Sequence, residues 1–230
     1  MSDFVFTPVA QPSLPIAGST QRFPVSRVFC LGRNYPWSDA QGQARGVPLF
    51  FMKPASSVVE VGSEIAYPVQ TEEFCHEIEL VVAIGTGGAD IPESLALEHV
   101  WGYAAGLDLT RRDQQRVAKQ AGLPWEGAKA FDASAPITAI QPVSAQGHAE
   151  QGAVWLKVNG TERQRSHLQS QLWSVAEIVS HLSRSVTLLP GDLIMTGTPE
   201  GVAALEPGDV ISAGIEGVGS LEVRVGQRAA

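Results

Sequence analysis

Charge is scarce in this sequence: 17% of its 230 residues are Asp, Glu, Lys or Arg, against 44% hydrophobic residues. That balance excludes a disordered chain or a coiled coil and leaves material for a substantial core. Cysteine is scarcer still. Cys30 and Cys75 are too few for a disulfide framework and show no Cys-x-x-Cys spacing, so both read as small apolar core residues. No basic residue precedes Arg22 and Asp3 comes early, so a signal peptide is not expected. Long apolar runs are missing too. The densest, from Leu80 to Ile84, has the length of a strand, so the expectation is a cytoplasmic protein with no membrane partner. Cations are in deficit, 16 Lys and Arg to 24 Asp and Glu for a net charge of −8, whereas phosphate binding needs clustered cations. Nucleic acid is therefore not an expected partner. The one basic cluster, Arg111, Arg112 and Arg116, is interrupted by Asp113 and reads as local structure.

Several common site signatures are also missing. There is no Gly-x-Ser-x-Gly elbow, no phosphate loop ending in Gly-Lys-Ser/Thr and no complete Gly-x-Gly-x-x-Gly. The five histidines, at 76, 99, 148, 167 and 181, show no zinc-type pairing. Serine hydrolase, nucleotide-binding and zinc-enzyme readings all fall.

What is present reads as a mixed, β-rich α+β chain with few helices. Residues 1–21, rich in Pro, Ser and Ala, are expected to form an irregular lead-in, with ordered structure from Val25 or later and a single domain over 22–230. Strands are predicted at 27–31, 49–52, 77–85 and 102–109. The polar loop between the first two, 33–48, has the length of a functional lid. One helix is predicted over Arg112–Gln120, ended by Gly122 and Pro124, and another over 171–184 from the spacing of Leu172, Val175, Val179 and Leu182. Val154 to Val158 alternates into Asn159-Gly160, the pattern of a two-residue hairpin turn. Pro190-Gly191-Asp192 and Pro207-Gly208-Asp209 each mark a turn that launches a strand.

Three carboxylates stand where ordinary surface charge does not belong. Glu77 and Glu79 are two apart on a predicted strand, so they share a face, and that face continues with Val81 and Ala83. Two like charges leading into an apolar stripe repel each other and resist desolvation unless a cation lies between them. Asp108 follows the run from Gly102 to Leu107, whose small residues suit close backbone approach. Three carboxylates suit a hard divalent ion, Mg2+, Mn2+ or Ca2+; the competing reading puts Glu77 and Glu79 on a solvent face at a strand end. Of only four lysines, Lys129 lies among small and apolar neighbours, as a lysine serving a bound anion would. The competing reading is a surface lysine that keeps its ammonium in water.

Six segments, in order, resemble the fumarylacetoacetate hydrolase family: Leu31 to Tyr35, Phe51 to Pro54, His76 to Leu80, Asp108 to Asp113, Lys129 to Asp132 and Thr196 to Val202. The resemblance covers the chain from Arg22 onward and is strongest to the fumarylpyruvate hydrolase branch, enzymes of gentisate-type aromatic catabolism. It implies a β-sandwich or roll, a homodimer, and a Mg2+ (or Mn2+ or Ca2+) ion held by Glu77, Glu79 and Asp108. It also implies catalytic roles for Lys129 and Arg33, and contacts from Arg112, Gln115 and Thr198 to a small 2-oxo dicarboxylate. The implied reaction is hydrolysis of a carbon–carbon bond in an acylpyruvate-type 2,4-dioxo acid. In it a metal would stabilise the enolate, Lys129 the developing oxyanion, and an arginine fork the distal carboxylate.

One stretch departs from the family pattern. Active hydrolases of the family follow Gly-Arg-Asn-Tyr with a His and, three residues later, a Glu, which activate water from a lid. Here Ser38 and Gln41 fall at those places, and neither is a base near neutral pH. Asp39 could turn inward as a substitute. The departure leaves two alternatives beside the hydrolase: a decarboxylase or isomerase of 2-oxo acids, which needs the enolate but no attacking water, or a ligand-binding homologue without turnover.

Overall fold

Short runs of apolar residues, broken every few positions by Gly and Pro, make the strand the dominant element. The computed structural model describes residues 4–37, 45–62 and 64–228. Along the chain lie β1 (Ser13–Pro15), β2 (Arg22–Pro24), β3 (Val28–Gly32), β4 (Leu49–Lys53), β5 (Val58–Glu60), β6 (Glu64–Tyr67), β7 (Phe74–Cys75), β8 (Ile78–Ile84), β9 (Val100–Leu107) and β10 (Thr110–Arg111). Helix α1 (Arg112–Gln120) follows, then β11 (Ala135–Ile137), β12 (Gln141–Pro142), the one-turn α2 (Val143–Gln146), β13 (Ala153–Val158) and β14 (Thr161–His167). The chain closes with α3 (Val175–Ser183), β15 (Leu193–Met195), β16 (Val210–Ile215) and β17 (Gly219–Arg228).

Two sheets carry the fold. An eight-stranded mixed sheet runs β4-β3-β15-β8-β9-β11-β5, with β12 beside β9, and a five-stranded sheet runs β14-β13-β16-β17-β6. This is the β-rich α+β architecture that the sequence predicts. The central strands of the larger sheet are buried on both faces, so β8 is apolar at every position except Glu79. On one face Leu80, Val82 and Ile84 join Val154, Leu156, Ile211 and Ala213 of the smaller sheet and the apolar side of α3. On the other, Val81 and Ala83 join Val28, Cys30, Leu193 and Met195 in a second cluster.

That second cluster explains the first departure from expectation: order begins before Val25. β1 and β2 pair antiparallel, Ser13 opposite Pro24, and carry Leu14 and Phe23 into the cluster. Burying two large apolar side chains contributes about 1.5–3 kcal/mol each, which outweighs the loop-like composition around them. The second helix also starts later than predicted, at Val175. Ser174 caps it: the Ser174 side chain accepts from the Glu177 N–H while the Glu177 carboxylate accepts from the Ser174 N–H. That box sets the first turn, and Leu172, though in phase, stays outside, its N–H bonded to the Asn34 carbonyl at 2.8 Å. β9 runs two residues earlier than predicted, Val100–Leu107, so Asp108 lies just past its end as Glu77 lies just before β8; elsewhere local signals hold. α1 has the predicted bounds, and Asn159 and Gly160 join β13 to β14 with φ of 50° and 79°, as a type I′ turn demands. Cys30 and Cys75 are buried and free. Among the described residues no helix is long and apolar enough to cross a membrane.

Candidate metal and substrate site

β8 and β9 are antiparallel neighbours, with Ile78 opposite Leu107 and Glu79 opposite Gly106. One step beyond, the Asp108 N–H donates to the Glu77 carbonyl at 2.9 Å. Glu77 and Asp108 therefore face each other across the ladder, while Glu79 shares the face of Glu77 by the two-residue period. The outcome is a cluster: one oxygen from each of Glu77, Glu79 and Asp108 lies within 4.8 Å of the others, and all three residues are buried. The solvent-face reading of Glu77 and Glu79 is thereby corrected, because the N-terminal hairpin and the loop around Trp125 cover that side of the sheet. Gly102, in β9, bears out the close-approach reading: a Cβ there would lie 2.5 Å from the Gln141 carbonyl oxygen.

The cation that two like charges on an apolar face require is Lys129. Its Nζ donates to Glu77 Oε2 at 2.8 Å and to Asp108 Oδ2 at 2.5 Å. A second buried ammonium arrives from β4: Lys53 Nζ lies 2.9 Å from Asp108 Oδ1 and donates to Ser134 Oγ at 2.9 Å, to the Leu109 carbonyl at 3.2 Å and to the Lys129 carbonyl. Lys53 thus ties one carboxylate to the backbone that carries Lys129. Ending the strand at Met52 leaves this residue out of the site. The signal was nonetheless present, since Lys53 falls two residues after Phe51 and so on the same buried face, with Met52 turned outward.

The charges in the cluster are unequally served. Burial alone would raise the Asp108 pKa, but Lys129 and Lys53 together hold it below the usual carboxylate value. Lys129 moves up, because its carboxylate neighbours outweigh the cost of burial. Lys53 moves down, burial exceeding the pull of Asp108. Glu79 is the exception. Burial, then the charges of Asp108 and Glu77, push it well above a normal carboxylate, and one hydrogen bond from the Gly197 N–H at 2.7 Å does not offset them. Gly197 can approach because it is glycine: its φ is 93°, and a Cβ would stand 2.7 Å from the Asn34 Cβ. A buried acid crowded by two others calls for further positive charge, and three hard oxygen donors held by strand ends suit Mg2+, Mn2+ or Ca2+. The residues fit such an ion.

Above the carboxylates lies a cavity of about 130 Å³, lined also by Arg33, Arg112, Gln115 and Thr198. Arg112, the first residue of α1, donates to Glu77 Oε1 at 3.1 Å and to Gln115 Oε1 at 2.8 Å, so one guanidinium joins helix and carboxylate. Arg33 stands exposed at the mouth, outside the ionic cluster, on left-handed backbone with φ 58°. The buried Asn34 beside it accepts from the Trp173 N–H at 2.7 Å and donates to the Thr196 carbonyl at 2.8 Å, which pins this loop to the segment bearing Thr198. Ser38, Asp39 and Gln41 lie outside the described residues. A larger cavity, about 240 Å³, opens beside Tyr103 and Gln171, but among the described residues Glu150 is the one charged side chain lining it, whereas the smaller cavity gathers the acids, Lys129 and the arginines. Gln164, which sequence reasoning also missed, donates to Thr198 Oγ1 at 2.8 Å from beneath the pocket.

Fold and site together define an enzyme of the two-sheet roll type, with three buried carboxylates that could hold a metal ion beneath a pocket lined by cations. The chain belongs to the fumarylacetoacetate hydrolase family, and residues 27–226 match the family described as fumarylacetoacetate (FAA) hydrolase C-terminal. It is 44% identical over 178 residues to the fumarylpyruvate hydrolase of Ralstonia sp, covering 77% of this chain and 92% of that protein. It is 40% identical over 200 residues to the mitochondrial oxaloacetate tautomerase of Rattus norvegicus, covering 86% and 90%. The crystal structure of fumarylpyruvate hydrolase from Pseudomonas aeruginosa in complex with Mn2+ and pyruvate matches with a TM-score of 0.94 at 52% identity, covering 98% of this chain and 100% of that one. These likenesses support the fumarylpyruvate hydrolase branch.

Proposed function

We propose that this hydrolase of carbon–carbon bonds acts on an acylpyruvate-type 2,4-dioxo acid such as fumarylpyruvate, with one divalent ion, Mg2+ or Mn2+, held by Glu77, Glu79 and Asp108. The observation that carries the reading is the convergence of three buried carboxylates within 4.8 Å beneath a pocket lined by Lys129 and Arg112. The Mn2+ and pyruvate in the Pseudomonas aeruginosa complex support both the ion and the 2-oxo acid end of the substrate. A homodimer in the cytoplasm, with one catalytic domain over 22–230, belongs to the same proposal and rests on the family resemblance.

When bound, the ion would polarise the 2-oxo group and share the charge of the enolate left by bond cleavage. The chain's own residues do the rest. Lys129 holds its ammonium in a water-poor site where oxyanion charge develops, and because Glu77 and Asp108 already fix the Nζ, little reorganisation is needed during reaction. Arg112 offers a planar fork to a substrate carboxylate, and Gln115 fixes the angle of that fork. Arg33 adds a second cation at the mouth, where the distal end of a dicarboxylate would arrive. Thr198 contributes a hydroxyl to the pocket wall.

A second reading, isomerisation or decarboxylation of a 2-oxo acid such as oxaloacetate, is favoured by the residues at 38 and 41. Ser38 and Gln41 replace the lid His and Glu, and enolisation needs no attacking water. The 40% identity to an oxaloacetate tautomerase supports it as well. Incubating the purified protein and Mn2+ with fumarylpyruvate and with oxaloacetate separates the two. Release of fumarate plus pyruvate from the first supports the hydrolase; turnover of oxaloacetate alone supports the isomerase or decarboxylase. For the metal, calorimetric titration of Glu79→Ala should show Mn2+ affinity reduced by at least roughly a hundredfold in a folded protein, as loss of one charged ligand of three implies. Unchanged affinity would sink the ligand assignment.

A further inference from the structure

Strand β14 is exposed or half-buried at every position except one, and that one is polar: Gln164. Its side chain leaves the five-stranded sheet and enters the catalytic one. There Oε1 accepts from the Ile78 N–H, at the start of β8, at 3.3 Å and faces His76 Nδ1 at 3.0 Å. Nε2 donates to the Pro199 carbonyl at 2.8 Å and to Thr198 Oγ1 at 2.8 Å. An amide can be turned either way round unless its neighbours decide the matter. Here they do, because a peptide N–H can only donate and a peptide carbonyl can only accept. Thr198 Oγ1 is therefore an acceptor toward Gln164, and its own hydrogen must point elsewhere. Among the described residues that hydroxyl donates no hydrogen bond, and Thr198 lines the cavity with Glu77, Glu79, Asp108 and Lys129.

We propose that Gln164 is a positioning residue that sets the polarity of the Thr198 hydroxyl, so that Thr198 presents a donor to the carboxylate or oxyanion of a bound 2-oxo acid. The proposal rests on the 2-oxo acid reading above. It deepens that reading by assigning a source of specificity: a carboxylate offers the Thr198 hydrogen an acceptor at either oxygen, whereas a carboxamide can do so only through its one carbonyl oxygen. It also gives a reason for a buried glutamine on an otherwise polar edge strand, since all four of its hydrogen-bonding contacts lie on the catalytic side.

The test uses the Mn2+-loaded protein and pyruvate or oxalate as probes, followed by calorimetry, with Mn2+ binding alone and thermal melts as controls. Gln164→Met and Thr198→Val should each weaken pyruvate binding about tenfold, the order expected for one hydrogen bond to a charged acceptor. Mn2+ affinity should stay unchanged. The double variant should bind pyruvate no more weakly than Thr198→Val alone, because Gln164 acts through that hydroxyl. Losses that add, a parallel fall in Mn2+ affinity, or wild-type pyruvate affinity in Gln164→Met would each overturn the proposal. Should Gln164→Met fail to fold, Gln164→Glu carries the same test, since an ionised carboxylate of the same shape turns the Thr198 hydrogen back toward itself. If the wild-type protein binds neither probe, the 2-oxo acid reading falls and the positioning role falls with it. If the wild type binds and every variant binds equally well, only the positioning role falls.

Discussion

The two sheets bury their residues by different rules. In β13 buried and half-buried positions alternate, and in β14 Gln164 alone is buried, whereas β8 is buried at all seven positions. A sheet with one wet face can keep its charges in water. A sheet covered on both faces cannot, so each charge on it must find a partner or lose its proton balance. That is why Glu77, Glu79 and Asp108 stand with Lys53 and Lys129 in one cluster, and why stability and chemistry are bound together in the larger sheet but, Gln164 aside, separable in the smaller.

The sharpest way to break this comparison is Lys53→Met. Removing one partner of a buried ionic cluster should cost about 3–5 kcal/mol in urea denaturation, and Asp108→Asn in the same chain should recover part of the loss. A cost near zero would mean that the larger sheet tolerates unpaired charge, and the contrast would disappear. Next comes Leu156→Ala, a fully buried position of β13. It should lose about 2–5 kcal/mol of stability while the folded protein keeps its Mn2+ affinity. A change in that affinity would show that the sheets are not separable. The smallest effect is expected from Gly160→Ala in the β13–β14 turn, where φ is 79°. Forcing a Cβ into left-handed backbone should cost about 1–2 kcal/mol, read as a lower melting temperature, with pyruvate and Mn2+ binding unaltered.

How far the site was legible follows from how local each signal is. Glu77 and Glu79 could be placed on one face because the period of a strand is two residues. Their meeting with Asp108 depended on register, which sets Ile78 opposite Leu107. Lys129 stood out by its apolar surroundings, yet its two partners lie 52 and 21 residues away. Lys53 escaped because a strand ended one residue too early hides the face it is on. Gln164 escaped because Thr-Glu-Arg-Gln-Arg-Ser-His is polar throughout, and no periodicity marks which member turns inward. The same distinction holds for the fold. Gly122 and Pro124 end α1 where expected, but the N-terminal hairpin reads as loop until the cluster it covers is known.

By itself, then, the amino-acid order determined the kinds of element, the turns between them and the chemical type of the donors, because strand period, capping and turn geometry act over a few residues. Only the tertiary structure decided which ammonium meets which carboxylate, and that among the described residues Glu79 has no ammonium in direct contact. Those outcomes depend on sheet order and strand register, which are settled by burying two faces of one sheet at once and not by any local stretch of chain.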